Sequence, residues 1–131
     1  MNELSDTTAT IVLLKKRVQK FVEDREWGKY HNSKDLAISI TVEASELLEL
    51  FQWVREKDLE KILRDTDKFT RVEEELADII ILCFNLANVT GIDVSRAVMK
   101  KIEKNEAKYP VELVKGNYKK YTRLRDDAAS Q

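Results

Sequence analysis

Apolar residues recur every three or four positions through four stretches of the chain, a rhythm that predicts an all-α protein built as a four-helix bundle. Ile11, Leu14, Val18, Phe21 and Val22 mark one face of a first helix over about 7–25, with Thr7 or Asp6 as its cap. The rhythm breaks at Trp27-Gly28-Lys29-Tyr30-His31-Asn32-Ser33, which reads as a loop. A second helix runs from Asp35, its N-cap, to about 55. Leu36, Ile40, Leu47, Leu50 and Val54 form its main stripe, with Ala37, Ala44, Leu48 and Phe51 beside it. Residues 56–68 are highly charged and read as a short helix, a loop or both. A third helix, over about 70–90, presents Val72, Leu76, Ile79, Cys83 and Leu86, and Gly91 is placed to end it. A fourth starts after Asp93 and runs to about 108, stopped by Pro110. The run Ile79-Ile80-Ile81-Leu82-Cys83-Phe84 is apolar on every side, which predicts burial on several faces. One small chain offers limited cover for it, so assembly through helices into a homodimer or a dimer of dimers (a homotetramer) is expected.

Charged residues interrupt these stripes in a particular way. Glu43 stands in the slot between Ile40 and Leu47, and Glu46 lies one turn on; Glu75 and Asp78 repeat the spacing in the third helix. Residues three apart share a helix face. One such pair is commonplace on a solvated face. Two pairs, each opening an apolar run and separated by 28 residues, leave room for a connector that returns the second helix antiparallel. Facing helices then gather four carboxylates beside the core, where a cation must offset their charge. A di-iron site needs Glu-x-x-His pairs, but the one histidine, His31, falls in the loop. An all-oxygen set instead suits Mg²⁺, or Mn²⁺. Glu49 follows three residues after Glu46, but at ~100° per residue it is turned about 120° from Glu43 and reads as supporting or solvated.

Composition narrows the classes. The chain has 131 residues, expected to form a single domain with frayed ends at about 1–6 and 125–131. Only 3 Gly and 1 Pro are present, in keeping with helices. A net charge of −1 argues against a nucleic-acid polymer as partner. The lone Cys83 allows no intramolecular disulfide and fits a reducing compartment. No signal-peptide pattern opens the sequence and no apolar run approaches the ~20 residues that span a bilayer, so a cytoplasmic protein with no membrane partner is expected. Charge is uneven, however: residues 43–78 carry 12 acidic and 6 basic side chains, and 101–125 carry 8 basic and 3 acidic. These are either solvated faces or an acidic, metal-holding part serving a basic, phosphate-holding part.

Glu43-x-x-Glu46, the 28-residue gap and Glu75-x-x-Asp78 resemble the signature of the all-α NTP pyrophosphohydrolases, the MazG-like superfamily. Within it the dCTP pyrophosphatase group is most similar. That likeness is carried by Trp27, Tyr30-His31, Lys34-Asp35-Leu36, Glu43 through Trp53, Glu74 through Asp78, Asn105, Lys108 through Val111 and Lys119 through Thr122. The resemblance implies Mg²⁺-dependent hydrolysis of a nucleoside triphosphate at the α-phosphorus, giving a monophosphate and pyrophosphate, with dCTP or a modified dCTP as substrate. It implies Glu43, Glu46, Glu75 and Asp78 as metal ligands, and Glu46 or Glu49 as the proton acceptor. Trp27 and Trp53 would flank the base and His31 orient it. Lys101, Asn105 and Tyr109, with Lys120 and Tyr121, would serve the phosphates. Two departures from the family pattern bear on base preference: Leu82 stands where relatives often carry tyrosine, and Ser33-Lys34-Asp35 where Pro-Lys-Asn is usual. A broader NTP or dUTP pyrophosphatase and, from another class, a non-catalytic helical interaction module are the alternatives.

Overall fold

Polar caps decide where the helices begin in the computed structural model, which describes residues 3–116. Helix α1 (Ile11–Asp24) is capped by Thr10, whose hydroxyl accepts the Leu13 N–H at 3.1 Å. Thr7 and Asp6 lie upstream in a turn, so the expected cap shifts by one helical turn. A 3₁₀ turn, Trp27–Tyr30, follows Glu26, whose φ of 54° is left-handed. Helix α2 (Ser33–Glu49) is capped by Asn32, not by Asp35. Asn32 Oδ1 accepts the Asp35 N–H at 2.9 Å and its amide donates back to Asp35 Oδ2 at 2.6 Å. Asp35 is thus the third helical residue, and its carboxylate braces the capping side chain through the Asn32 amide instead of capping the helix itself.

Helix α2 ends at Glu49, about two turns before the expected boundary near 55, and turns carry Leu50 through Trp53. The charged connector is both helix and turn: a 3₁₀ turn, Glu56–Asp58, leads into α3 (Leu59–Arg64). Helix α4 (Thr66–Thr90) begins four residues earlier than expected, because the Asp65 carboxylate accepts the Lys68 N–H at 3.0 Å. It ends at Gly91, whose φ of 71° is the left-handed geometry a glycine adopts at low cost. Helix α5 (Val94–Lys108) starts at the Asp93 cap as expected, and a short α6 (Val111–Val114) follows Pro110. No strand occurs among the described residues.

The chain divides into two packing units, one up to Ile92 and one from Asp93. In the first, α4 packs against α2, α1 and α3. Val18, Val22, Leu36, Phe84 and Ala87 are its buried apolar residues. The main stripe of α2 faces inward as expected, with Leu36 only 1% exposed. Its neighbouring stripe does not: Ala37, Ala44 and Leu48 are exposed, and only Phe51 is half-buried. On α4 the inward seam is Val72, Glu75, Ile79, Leu82 and Leu86. Leu76 and Cys83, expected in that stripe, are exposed. The α4 seam therefore places Glu75 in a core slot, as the α2 seam places Glu43. No single described helix is long and apolar enough to cross a membrane.

Candidate metal and nucleotide site

The seam between α2 and α4 brings the two glutamates together. Residues early in α2 lie near residues late in α4, as the His31–Asn85 contact shows, and residues after the end of α2 share a pocket with the start of α4, so the helices run antiparallel. One carboxylate oxygen from each of Glu43, Glu75 and Asp78 lies within 4.8 Å of the others. Glu43 and Glu75 are half-buried and Asp78 is exposed. Glu43 Oε2 and Glu75 Oε2 are shielded from solvent and have no hydrogen-bond partner. Buried polar atoms are nearly always paired, and unpartnered carboxylate oxygens on two side chains of one cluster are costly unless a cation offsets them.

Electrostatics agree with this geometry. Glu43 is held above the usual glutamate range, first by its side-chain contact with Glu46, then by burial, and then by the negative charges of Glu46, Asp78 and Glu75. Glu75 is raised first by burial and then by Glu46 and Asp78, with Arg71 opposing. Glu46 is outside the three-oxygen cluster but presses on both inward glutamates, so all four expected carboxylates share one neighbourhood. An all-carboxylate set of this kind can hold a hard divalent cation. The two orphaned oxygens are what such an ion would satisfy, so the residues fit the group.

One pocket includes a cluster residue and a second lies toward the start of α4. A groove of about 530 Å³ between α1 and α4 is walled by Leu14, Val18, Phe21, Ile81 and Phe84, with Arg17 and Asp78 also on its lining. A second, of about 410 Å³, lies where α2 ends and α4 begins; Glu49, Leu50, Val54, Ile62, Lys68 and Arg71 line it. Glu49 lines this second pocket and is not one of the three clustered carboxylates.

The aromatic candidates separate. Trp27 sits edge-on to Phe21, with ring centroids 5.7 Å apart, and the Arg25 guanidinium lies 3.8 Å from the centre of the Phe21 ring. Phe21 therefore links Trp27 to the groove beside Asp78. Trp53 is 86% exposed in the turns after α2 and makes no ring contact among the described residues. His31 is tied down: the amide of Asn85, a buried residue of α4, donates to His31 Nδ1 at 2.8 Å. That bond leaves the His31 proton on Nε2, as a donor. Asn85 was not singled out in the sequence, although its signal was there: a polar residue within the apolar stretch from Ile79 to Ala87.

Among the phosphate candidates, Lys101 and Asn105 are exposed on α5, and the Asn105 carbonyl accepts the Tyr109 N–H at 2.8 Å. All three belong to the second unit. Lys120 and Tyr121 lie outside the described residues.

The chain is similar to known proteins. The MazG-like family model matches residues 38–124, a span that includes both carboxylate pairs. The chain is 33% identical over 112 residues to dCTP pyrophosphatase 1 of Bos taurus, an overlap of 86% of this chain and 66% of that protein. It is 30% identical over 112 residues to dCTP pyrophosphatase 1 of Homo sapiens, with the same coverage of each. It thus spans just under two thirds of the length of these curated relatives. A crystal structure of a pyrophosphatase from Archaeoglobus fulgidus DSM 4304 superposes with a TM-score of 0.72 at 40% identity, covering 82% of this chain and 99% of that one. With the family model covering most of the chain, and the carboxylates that resemble the family's signature converging on one seam, this chain belongs to the MazG-like family.

Proposed function

We propose that the protein is a nucleoside triphosphate pyrophosphohydrolase that converts a deoxynucleoside triphosphate, dCTP or a modified dCTP, to the monophosphate and pyrophosphate. The observation that carries this reading is the cluster of Glu43, Glu75 and Asp78, in which Glu43 and Glu75 each also keep a buried oxygen, Oε2, without a hydrogen-bond partner. Glu43, Glu75 and Asp78, with Glu46 beside them, would hold Mg²⁺; Mn²⁺ satisfies the same oxygen donors. When bound, the ion lowers the pKa of a water and offsets charge growing on the phosphoryl oxygens.

The chain supplies the rest. The water oxygen bonds to the α-phosphorus, the bond to the bridging oxygen breaks, and pyrophosphate leaves with that electron pair. The proton released by the water passes to a carboxylate, Glu46 or Glu49, and from there to solvent. The apolar groove beside Asp78 offers a surface for base and sugar, with Trp27 braced at its edge through Phe21. Trp53, freely exposed, closes on the base from the other side. Stacking is worth ~1–3 kcal/mol per base–aromatic contact. His31 Nε2–H directs the base, while Lys101, Asn105, Tyr109, Lys120 and Tyr121 serve the phosphates from the C-terminal segment. The whole chain acts as one domain in this reading, in a cytoplasmic role of nucleotide-pool sanitation. It works as a homodimer or dimer of dimers, because apolar side chains outside the groove, such as Leu76 on α4 at 49% exposure, are left uncovered in a single chain.

Incubation with each dNTP and with UTP and dUTP, with and without Mg²⁺, followed by product separation, tests the reading. Monophosphate and pyrophosphate from dCTP support it. Orthophosphate as the product refutes attack at the α-phosphorus. Equal turnover of all nucleotides favours a broader NTP or dUTP pyrophosphatase, which the Leu82 and Asp35 departures leave open. No turnover and no metal-dependent thermal shift point to the interaction module.

A further inference from the structure

The cations of the α3–α4 region are not all used in the same way. Arg55 and Lys61 hold the Asp58 carboxylate, and Arg64 holds Glu60. Lys68 and Arg71, a few residues on, form no ion pair and no side-chain hydrogen bond among the described residues, yet both line the pocket between the end of α2 and the start of α4. Two free cations turned into one cavity make an anion site. Its position defines which anion. Arg71 precedes Glu75 by four residues and Lys68 by seven, so at 1.5 Å per residue they stand about 6 and 10.5 Å along the axis from the inward glutamate. Arg71 stands one helical turn before Glu75 on α4, so the two side chains share a face and the near cation lies on the cluster's side of the helix. Moving from the cluster toward the start of α4, an extended anion would meet Arg71 first and Lys68 second.

We propose that Lys68 and Arg71 seat the pyrophosphate half of the substrate, the two phosphoryl groups beyond the scissile bond, in the pocket they share with Leu50, Val54 and Ile62. This deepens the nucleotide-hydrolase reading and rests on it. Arg71, with its planar fork of donors, is the phosphoryl clamp, and Lys68 is a point charge for the outer group. Glu49 on the same lining makes the pocket unfavourable for a bare anion and suits it to a polyphosphate that arrives with a divalent cation. Leu50, Val54 and Ile62 form the apolar part of the lining beside the two cations. The seat is built entirely within the first packing unit, and the residues of α5 and the C-terminal segment are left to the α-phosphoryl group at the scissile bond.

Pyrophosphate titrated calorimetrically into the full-length protein in Mg²⁺ tests the seat without any catalysis. Wild type binds; R71A and K68A each weaken binding roughly tenfold and the double variant about a hundredfold, one charge-assisted contact being lost in each. R71K recovers only part of the loss. Binding of dCMP stays at the wild-type level in every variant, because it lacks the two outer phosphoryl groups. Both side chains are exposed, so the thermal melts stay superimposable. In turnover assays KM for the triphosphate rises in parallel with the loss of pyrophosphate affinity. Wild-type pyrophosphate affinity in the double variant, or none in the wild type, overturns the proposal. If wild type hydrolyses dCTP and the double variant keeps its KM and its inhibition by pyrophosphate, the seat falls while the hydrolase reading stands. If no nucleotide is turned over, the hydrolase reading falls and the calorimetry still decides whether the cations hold a diphosphate.

Discussion

Replacing Glu43 with glutamine separates what the carboxylate costs the fold from what it does for the ion. Glutamine keeps the shape and removes the charge. In the metal-free protein Glu43 faces like charges, with ligand oxygens no more than 4.8 Å apart. At that separation two unit charges repel by about 3.5 kcal/mol at an effective dielectric of 20 and by about 0.9 kcal/mol in water. Glu43 is only half-buried and Asp78 is exposed, so solvent screening reduces the relief to about 1–2 kcal/mol. For a chain of this length 1 kcal/mol moves Tm by about 3–5 °C. Metal-free Glu43→Gln is therefore expected to melt about 3–10 °C above metal-free wild type. Adding Mg²⁺ to a hundredfold excess over its Kd stabilises wild type by about 2.7 kcal/mol, or about 8–13 °C. The variant, having lost a ligand, shifts far less, so the order of the two melting curves reverses. Scanning calorimetry in chelator and in Mg²⁺, with dCTP turnover alongside, reads all of this. A variant less stable than wild type in chelator, or one with the full Mg²⁺ shift and full turnover, would refute the assignment of Glu43 to an electrostatically frustrated metal seat.

Three other outcomes follow from the same structure. Metal-free wild type should gain stability as pH falls from neutral toward 5, because Glu43 and Glu75 bind protons more readily folded than at their ordinary 4.5. Their contribution is fully present below 4.5 and is lost as pH rises through the folded pKa; in Mg²⁺ the trend should reverse, since protons compete with the ion, and urea melts across pH with and without chelator check both. Leu36→Ala should cost about 2–5 kcal/mol in urea unfolding, because Leu36 is 1% exposed at the first turn of α2. Asn85→Ala should cost about 1–3 kcal/mol and free the imidazole of His31; as the chain has one histidine, its ring nitrogens are read by NMR without assignment, and an unchanged Nε2–H tautomer and unchanged mobility would show that Asn85 does not hold it.

How far the sequence could be read depended on where burial and polarity disagreed. Glu43 was visible because a charge interrupts a regular stripe in α2, and the structure puts it in that slot. Glu75 has no such interrupted stripe to mark it, since Val72, Leu76, Ile79, Cys83 and Leu86 form a regular row without it. The run from Ile79 to Phe84 is apolar on all sides and sets no phase, so Leu76 and Cys83 were as eligible for the seam as Glu75 and Leu82. Only the packing of α4 against α2 decides between them. Caps were misplaced where two polar residues competed. Asn32 and Asp35 each suit an N-cap, and the reciprocal bonds between them show that both are used, with Asn32 in the capping position. The grouping of Lys68 and Arg71 with Leu50 and Val54 was hidden because it joins residues on either side of a connector whose path the charge pattern did not specify.

The left-handed Glu26 has a consequence for how the Trp27 turn behaves in time. A side chain at φ 54° costs about 1–2 kcal/mol relative to ordinary geometry, and such geometry persists only where its surroundings enforce it. Two anchors do so here, the Phe21–Arg25–Trp27 stack on one side and the Asn85–His31 bond on the other. The turn is therefore a loaded spring held at both ends. Releasing either anchor lets the backbone relax and swings the indole, whereas glycine at position 26 would unload the spring and leave the anchors less to hold.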